Sequence, residues 1–506
     1  MNDSAMNFSL NLEHSYAEQL PGFFAAVEPA PVATPSLLHF NTALANELGL
    51  NCEQLISDVL PQLFSGNALP RDARPIAQAY AGHQFGNFVP QLGDGRALLL
   101  GEVLDQNGRR RDVALKGSGV TPFSRGGDGK AAVGPVLREY LIGEAMHALG
   151  IPTTRALAAV ATGEPVMRDR QLPGAVLTRV ASSHIRVGTF QYFAARGQVE
   201  SVRKLADYVI QRHYPEVSGA DHRYLSLLEM VVEKQAELIA SWMLVGFIHG
   251  VMNTDNMAIS GETIDYGPCA FMEAYDADTV FSSIDHAGRY AYGNQPAIAL
   301  WNLARFAETL LPILGYEDSD QAVAEATAVL DKFMPRFQNH WYNGARKKLG
   351  LTSGKSTTDT DKGNDNDAER KLIDDWFKLL ENHDVDYTLS WRYLADVADG
   401  NANNLRSLIS QPAELDVFLE RWSESLNNTP REKVAKELRA TNPIYLPRNH
   451  LVEEALAAAS DDGNLAPFED LLQALQDPYT EAPKFVRYAL PASTDFTANY
   501  RTFCGT

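Results

Sequence analysis

Three side chains in the stretch His249–Gly267, HGVMNTDNMAISGETIDYG, carry the oxygen atoms that a small divalent cation prefers. Asp255 and Asp265 offer carboxylates and Asn256 an amide oxygen, hard donors suited to magnesium or manganese beside phosphate groups. Asp and Asn are also ordinary turn formers, so these residue types alone leave both readings open. A second set of residues, upstream, could meet the other end of a polyphosphate. Lys116 closes the run VALK, Arg96 follows Gly93 and Gly95, and Arg125 lies in the glycine-rich segment GSGVTPFSRGGDGKAAVGP. Arg179 and Arg186 stand seven residues apart across a Ser-Ser pair. Amide-rich loops and guanidinium groups are what phosphate binding needs. Each signal has a plainer reading as a turn, a strand-end charge or a surface arginine.

The elements that must position these groups can be read from the patterning. ALLLGEVL and RDVALK flank Asn107–Gly108, which accepts the positive φ values of a tight turn and predicts a β-hairpin ending at Lys116. A helix is expected from Val136 to Leu149, with Glu139 in its first turns and Gly150 and Pro152 ending it. PTTRALAAVAT and AVLTRVASSHIRVGTF read as strands, and LLHFNTALANELGL, closed by Gly49, as a helix. The apolar run AELIASWMLVGFIHG predicts a buried helix leading into the acidic stretch. NMAIS and TIDYG then read as two short strands joined by a turn at Gly261–Glu262. Downstream the pattern is mostly helical, apart from a polar tract at 353–371 expected to be a mobile loop.

At 506 residues the chain can bury a large core and hold two lobes with extensions. Its formal charge of -20 argues against a nucleic-acid partner, because binding nucleic acid calls for a basic face. A single bound nucleotide needs only a few local cations. Three cysteines, Cys52, Cys269 and Cys504, are too few for a disulfide scaffold and suggest a reducing compartment. The first twenty residues fit neither a signal nor a transit peptide, and no apolar run reaches the roughly 20 residues that span a bilayer. A cytoplasmic monomer without a membrane partner is expected.

The order of these features parallels that of protein kinases, with VALK resembling V-A-I-K, Glu139 in the following helix, and DYG in place of D-F-G. Nearly end to end, the chain resembles the selenoprotein O family of kinase-fold proteins, long called pseudokinases. The segments AYAGHQFG, LKGSGVTPFSRGGDGKAAVGPVLREYL, HGVMNTDNM, DYGPCAFME and the closing CGT carry the likeness. The resemblance implies transfer of AMP from ATP to Ser, Thr or Tyr hydroxyls of proteins, using Mg2+ or Mn2+ and a nucleotide turned round relative to that of kinases. It implies an α+β, kinase-like bilobal fold: an extension (1–75), a small mainly β lobe (76–178), a helical lobe (179–330) and a helical extension (331–506). Gly93, Gly95, Arg96, Lys116, Asp128, Gly129, Arg179 and Arg186 would line the nucleotide pocket, and Glu139 would pair with Lys116. Asn256 and Asp265 would hold the metal, Asp265 touching the nucleotide as well, and Asp255 would be the general base. Apart from the resemblance, Cys269 lies four residues after Asp265 and Cys504 near the end of the sequence; buried or idle thiols are the plain reading, and a regulatory Cys269–Cys504 disulfide clamping the tail over the site is the alternative. The H-R-D aspartate of kinases is missing, since His249-Gly250-Val251 stands there. Kinase-type γ-phosphate transfer, transfer of UMP and a silent nucleotide-binding scaffold remain alternatives.

Overall fold

The computed structural model describes residues 9–50, 59–352, 363–426 and 429–503. It is an α+β structure built on an eight-stranded sheet whose neighbouring strands all run antiparallel. Across the sheet the strands are Phe24–Ala26, Ile76–Gln78, Ala97–Leu104, Arg110–Lys116, Gln171–Ala181, Arg155–Met167 and Ser36–Phe40. The two-residue strand Ala131–Ala132 adds to Gln171–Ala181. Both edge strands therefore come from residues 1–75. Leu37–Phe40, expected in a helix, is strand, and the helix begins only at Thr42, where the Asn41 side chain accepts from Leu44 N at 3.0 Å. The error has a physical source. A short apolar strand running straight into a capped helix has no break in its hydrophobicity, and its partner lies more than a hundred residues away.

The central hairpin forms as expected, with Gly108 at φ 74° in the turn. Its first strand is apolar without alternation because both faces are covered. On one face Leu100, Val113, Leu115 and Val176 pack with Leu44, Leu48, Leu63 and Phe64. On the other, Leu99 and Leu177 meet Leu137, Tyr140 and Leu141 of the helix Val133–Ala148. That helix starts three residues earlier than the periodicity predicts, and Gly150 at φ 77° follows its end.

Helices dominate after the sheet. The run AELIASWMLVGFIHG is only partly helical. Helix Arg223–Leu244 stops there, Gly246 turns at φ 72°, and Phe247–Ile248 pairs as a strand with Ala270–Phe271. NMAIS and TIDYG do not pair with each other. Thr254–Asn256 is a single 3-10 turn, Ala258 bridges to Arg186, and Thr263 bridges to Thr153. Similarly, the stretch after Ser183 forms the helix Val187–Ala194 rather than extending a strand. Of the polar tract, 353–362 lies outside the described residues, whereas 363–371 opens the helix Gly363–Asn382. No helix among the described residues is long and apolar enough to cross a membrane.

Candidate nucleotide site

The end of the central hairpin, the helix Val133–Ala148 and the loops after Ile248 enclose a cleft of about 860 Å³. Strand register brings Lys116 beside Leu177, two residues from Arg179 on the neighbouring strand, and Arg186 caps the next helix. All three cations converge on one carboxylate. Lys116 Nζ and Arg179 Nη1 each lie 2.7 Å from Asp265 Oδ1, and Arg186 Nη1 lies 3.1 Å from Oδ2. Glu139 closes the cluster, with Oε2 2.5 Å from Lys116 Nζ and Oε1 3.0 Å from Arg179 Nη1. The expected Lys116–Glu139 pair is present.

These contacts decide the charge states. Burial would raise the pKa of Asp265, but the Lys116, Arg179 and Arg186 charges outweigh it and hold the group well below the usual carboxylate range. Glu139 is lowered in the same way by Lys116 and Arg179. Asp265 takes up a left-handed backbone, φ 63°, that few residues other than Gly, Asn and Asp tolerate. His249 holds this bend in register: its Nε2 donates to Ile264 O at 2.9 Å, while Val251 N approaches its Nδ1.

Asp255 is in the opposite condition. It is buried, its Oδ1 has no hydrogen-bond partner among the described residues, and its Oδ2 receives only Gln84 Nε2 at 3.3 Å. Arg186 donates to the Asp255 backbone oxygen, not the carboxylate. Burial accordingly pushes its pKa up to about 6. Asn256 donates Nδ2 to Val251 O at 3.0 Å, which leaves Oδ1 as its donor to a cation. Among the described residues no three His, Cys, Asp or Glu side chains gather into a metal cluster. The donors present, one amide oxygen and one carboxylate, suit a divalent ion that completes its shell with phosphate and water oxygens.

A family model described as protein adenylyltransferase SelO matches residues 6–476. The chain belongs to the SelO family. A relative in Chromobacterium violaceum is 58% identical over 491 residues, covering 96% of this chain and 100% of its own length. One in Cereibacter sphaeroides is 57% identical over 499 residues, with 98% and 100% covered. One in Rhizobium meliloti is 53% identical over 502 residues, with the same shares covered. All three carry the name protein nucleotidyltransferase YdiU. This SelO-family chain is an enzyme of the protein nucleotidyltransferase class.

The other residues expected to bind the nucleotide also line the cleft of this SelO-family protein: Gly93, Gly95, Arg96, Asp128 and Gly129, with Arg125 nearby. The glycines answer first to the protein itself. A Cβ on Gly93 would lie 2.3 Å from the Phe123 ring, one on Gly95 2.9 Å from Phe123 O, and one on Gly129 2.1 Å from Gly119 O. Asp128 is held by Arg168, 2.8 and 3.2 Å from its two oxygens. Cys269 is buried, and burial pushes its thiol up to about 12. Cys504 lies outside the described residues. The chain just before it, at Thr502, donates Oγ1 to Pro268 O at 2.8 Å.

Several residues that line the cleft or hold its acidic loop escape the sequence reading. The hairpin Gly82–Gln84 and Asn87–Val89 lies on the acidic loop: His83 N donates to Thr254 Oγ1, Phe85 N to Asn253 Oδ1, and Gln84 to Asp255. Tyr80, beneath the Arg186 guanidinium at 4.5 Å, and the buried Asp94 complete the wall. The segment AYAGHQFG marks this region, but three-residue strands carry too little periodicity to assign it a contact.

Proposed function

We propose that this chain transfers AMP from ATP to Ser, Thr or Tyr hydroxyls of other proteins, using magnesium or manganese, and that it acts as a cytoplasmic monomer. In this reading residues 76–178 and 179–330 are the two lobes of a kinase-like body, flanked by extensions at 1–75 and 331–506. The observation that carries it is the pairing of opposites across one cleft. Three cations gather on Asp265 while, ten residues earlier, Asp255 keeps an unpartnered carboxylate oxygen. The family description and the relatives' names supply the reaction class.

In the reaction the acceptor hydroxyl oxygen attacks the α-phosphorus. The new O–P bond forms as the bond from that phosphorus to the bridging oxygen of pyrophosphate breaks. Asp255 takes the hydroxyl proton, a role that its raised pKa suits. Lys116, Arg179 and Arg186 bind and orient the phosphates, and Glu139 keeps Lys116 and Arg179 in place. Asn256 and Asp265 would hold a divalent ion, which when bound would supply charge neutralisation at the phosphate oxygens. Positioning and electrostatics of this kind account for most of the catalysis of phosphate transfer. Because Asp255 directly precedes Asn256, rather than standing five residues before it as in kinases, attack at the α-position is favoured over γ-phosphate transfer.

A Cys269–Cys504 disulfide would tie the tail to the segment after Asp265, and the Thr502–Pro268 hydrogen bond supports that approach. The deciding experiment supplies ATP labelled at the α or the γ position, and UTP labelled at the α position. Label on protein from α-labelled ATP is the expected result. Label only from γ-ATP would establish a kinase, better transfer from UTP would change the nucleotide, and none with ATP still bound would leave a scaffold.

A further inference from the structure

Arg179 is 2% exposed, and a guanidinium buried so deeply is useful only if its donors point the right way. Its Nη1 is shared between Glu139 and Asp265, and its Nη2 makes no hydrogen bond among the described residues. Its Nε donates to His184 Nε2 at 3.1 Å. That bond fixes the state of the histidine, because an Nε2 that accepts cannot carry a proton. The proton must sit on Nδ1, and Nδ1 lies 2.9 Å from Asp112 Oδ2, as an N–H donor would. His184 N donates to the same oxygen at 2.9 Å. Asp112 is fixed in turn by Arg212, whose Nη2 lies 2.5 Å from Oδ1 and also reaches Ser182 O. His184 and Asp112 are both buried, and neither touches the cleft.

We propose that His184, locked by Asp112 in its Nδ1-protonated neutral form, is a positioning residue that aims the Arg179 guanidinium at the phosphates. The inference rests on the reading that Arg179 receives them. A planar guanidinium has its five N–H donors in a fixed fork, so anchoring Nε sets where both Nη groups point. This anchor matters most when Asp265 turns to another partner, since Arg179 then loses one of its two carboxylates. Glu139 alone would leave the fork free to swing. The Asp112–His184 pair lies on the side of Arg179 away from the cleft and holds through that exchange.

The test uses the full-length chain in three forms: wild type, His184→Ala and His184→Gln. Glutamine can accept from Arg179 Nε with its oxygen and donate to Asp112 with its nitrogen. Titration calorimetry with ATP should show affinity about tenfold lower in H184A and close to wild type in H184Q, as expected for loss of one hydrogen bond to a charged group. Melting temperatures check that the variants fold. Independently, 15N-histidine spectra of the wild type should contain a neutral Nδ1–H imidazole, absent from H184Q. Unchanged ATP affinity in folded H184A, equal loss in both variants, or an Nε2–H or doubly protonated His184 would overturn the proposal. Should H184A fail to fold, the tautomer and the H184Q affinity decide. A wild type that binds no ATP would defeat the proposed function instead, a result distinct from the tautomer measurement.

Discussion

Asp255 offers the most discriminating perturbation, because the same carboxylate should weaken the protein and drive its chemistry. Its pKa rises from 3.8 to about 6 on folding, chiefly through burial. Ionising it in the folded state is therefore penalised by ~3 kcal/mol, at roughly 1.4 kcal/mol per unit. The sign follows from proton binding. Between about pH 4 and pH 6 the folded chain holds a proton that the unfolded chain has lost, so wild-type stability falls through that window and stays lowered above it. Asp255→Asn keeps the shape, removes the charge and escapes the penalty. In metal-free protein, urea unfolding should find D255N more stable than wild type by ~2–3 kcal/mol at pH 7.5, with the difference vanishing near pH 4. The same variant should transfer AMP about 10²- to 10⁴-fold more slowly while still binding ATP. The reasoning fails if D255N is the less stable protein at pH 7.5. It also fails if the difference does not change between pH 4 and 6, or if transfer is undiminished.

Asp265→Asn should behave in the opposite way. The depressed pKa of Asp265 means its contribution is present above about pH 4 and lost as pH falls below it. The variant should thus be less stable than wild type at pH 7 by ~3 kcal/mol, as for a broken buried ion pair, with the gap closing in acid. Metal-dependent transfer should disappear, while metal-free ATP binding persists or tightens because three cations lose their competitor. Equal stability at pH 7 or retained metal-dependent transfer would refute the assignment. Gly82→Ala tests the hairpin over the acidic loop: its Cβ would lie 2.4 Å from Asp255 Oδ1. Transfer should drop at least about tenfold, a loss typical of a displaced catalytic group, with ATP affinity unchanged. A fully active G82A would show that the hairpin can move aside at no consequence to Asp255.

What the sequence disclosed and what it concealed divide along physical lines. The Asn107–Gly108 hairpin and the helix bearing Glu139 are local: a turn dipeptide and a periodic apolar face specify them within their own continuous segments, Ala97–Lys116 and Val133–Ala148. Lys116, Arg179, Arg186 and Asp265 could be nominated because their residue types and order fit one chemistry, and the structure brings all four together. The hairpin at 82–89 could not be found this way. Its hydrogen bonds go to Thr254 and Asn253, some 170 residues away, and nothing nearby encodes them. His184 carries no signal in the sequence for a similar reason, since a histidine declares its role only through the atoms that face it, here Arg179 and Asp112. The helix beginning at Gly363 looked like loop because its first turns are polar, while its helical state owes more to the later Trp376 and Leu380, both buried.

In a protein with a net charge of -20, the proposed polyphosphate site depends on how the charges are placed. Arg179 and Arg186 are 2% and 3% exposed, and removing a guanidinium from water is costly unless anions lie against it. Glu139 and Asp265 meet that need for Arg179, and Asp265, the nearby buried Asp94 and the Tyr80 ring meet it for Arg186. By direct contact, three cations, Lys116, Arg179 and Arg186, share two carboxylates, Glu139 and Asp265. Asp255, buried without a cation on its carboxylate, stands outside that balance, and its exclusion from the ion pairs is what keeps it basic enough to take a proton near neutral pH.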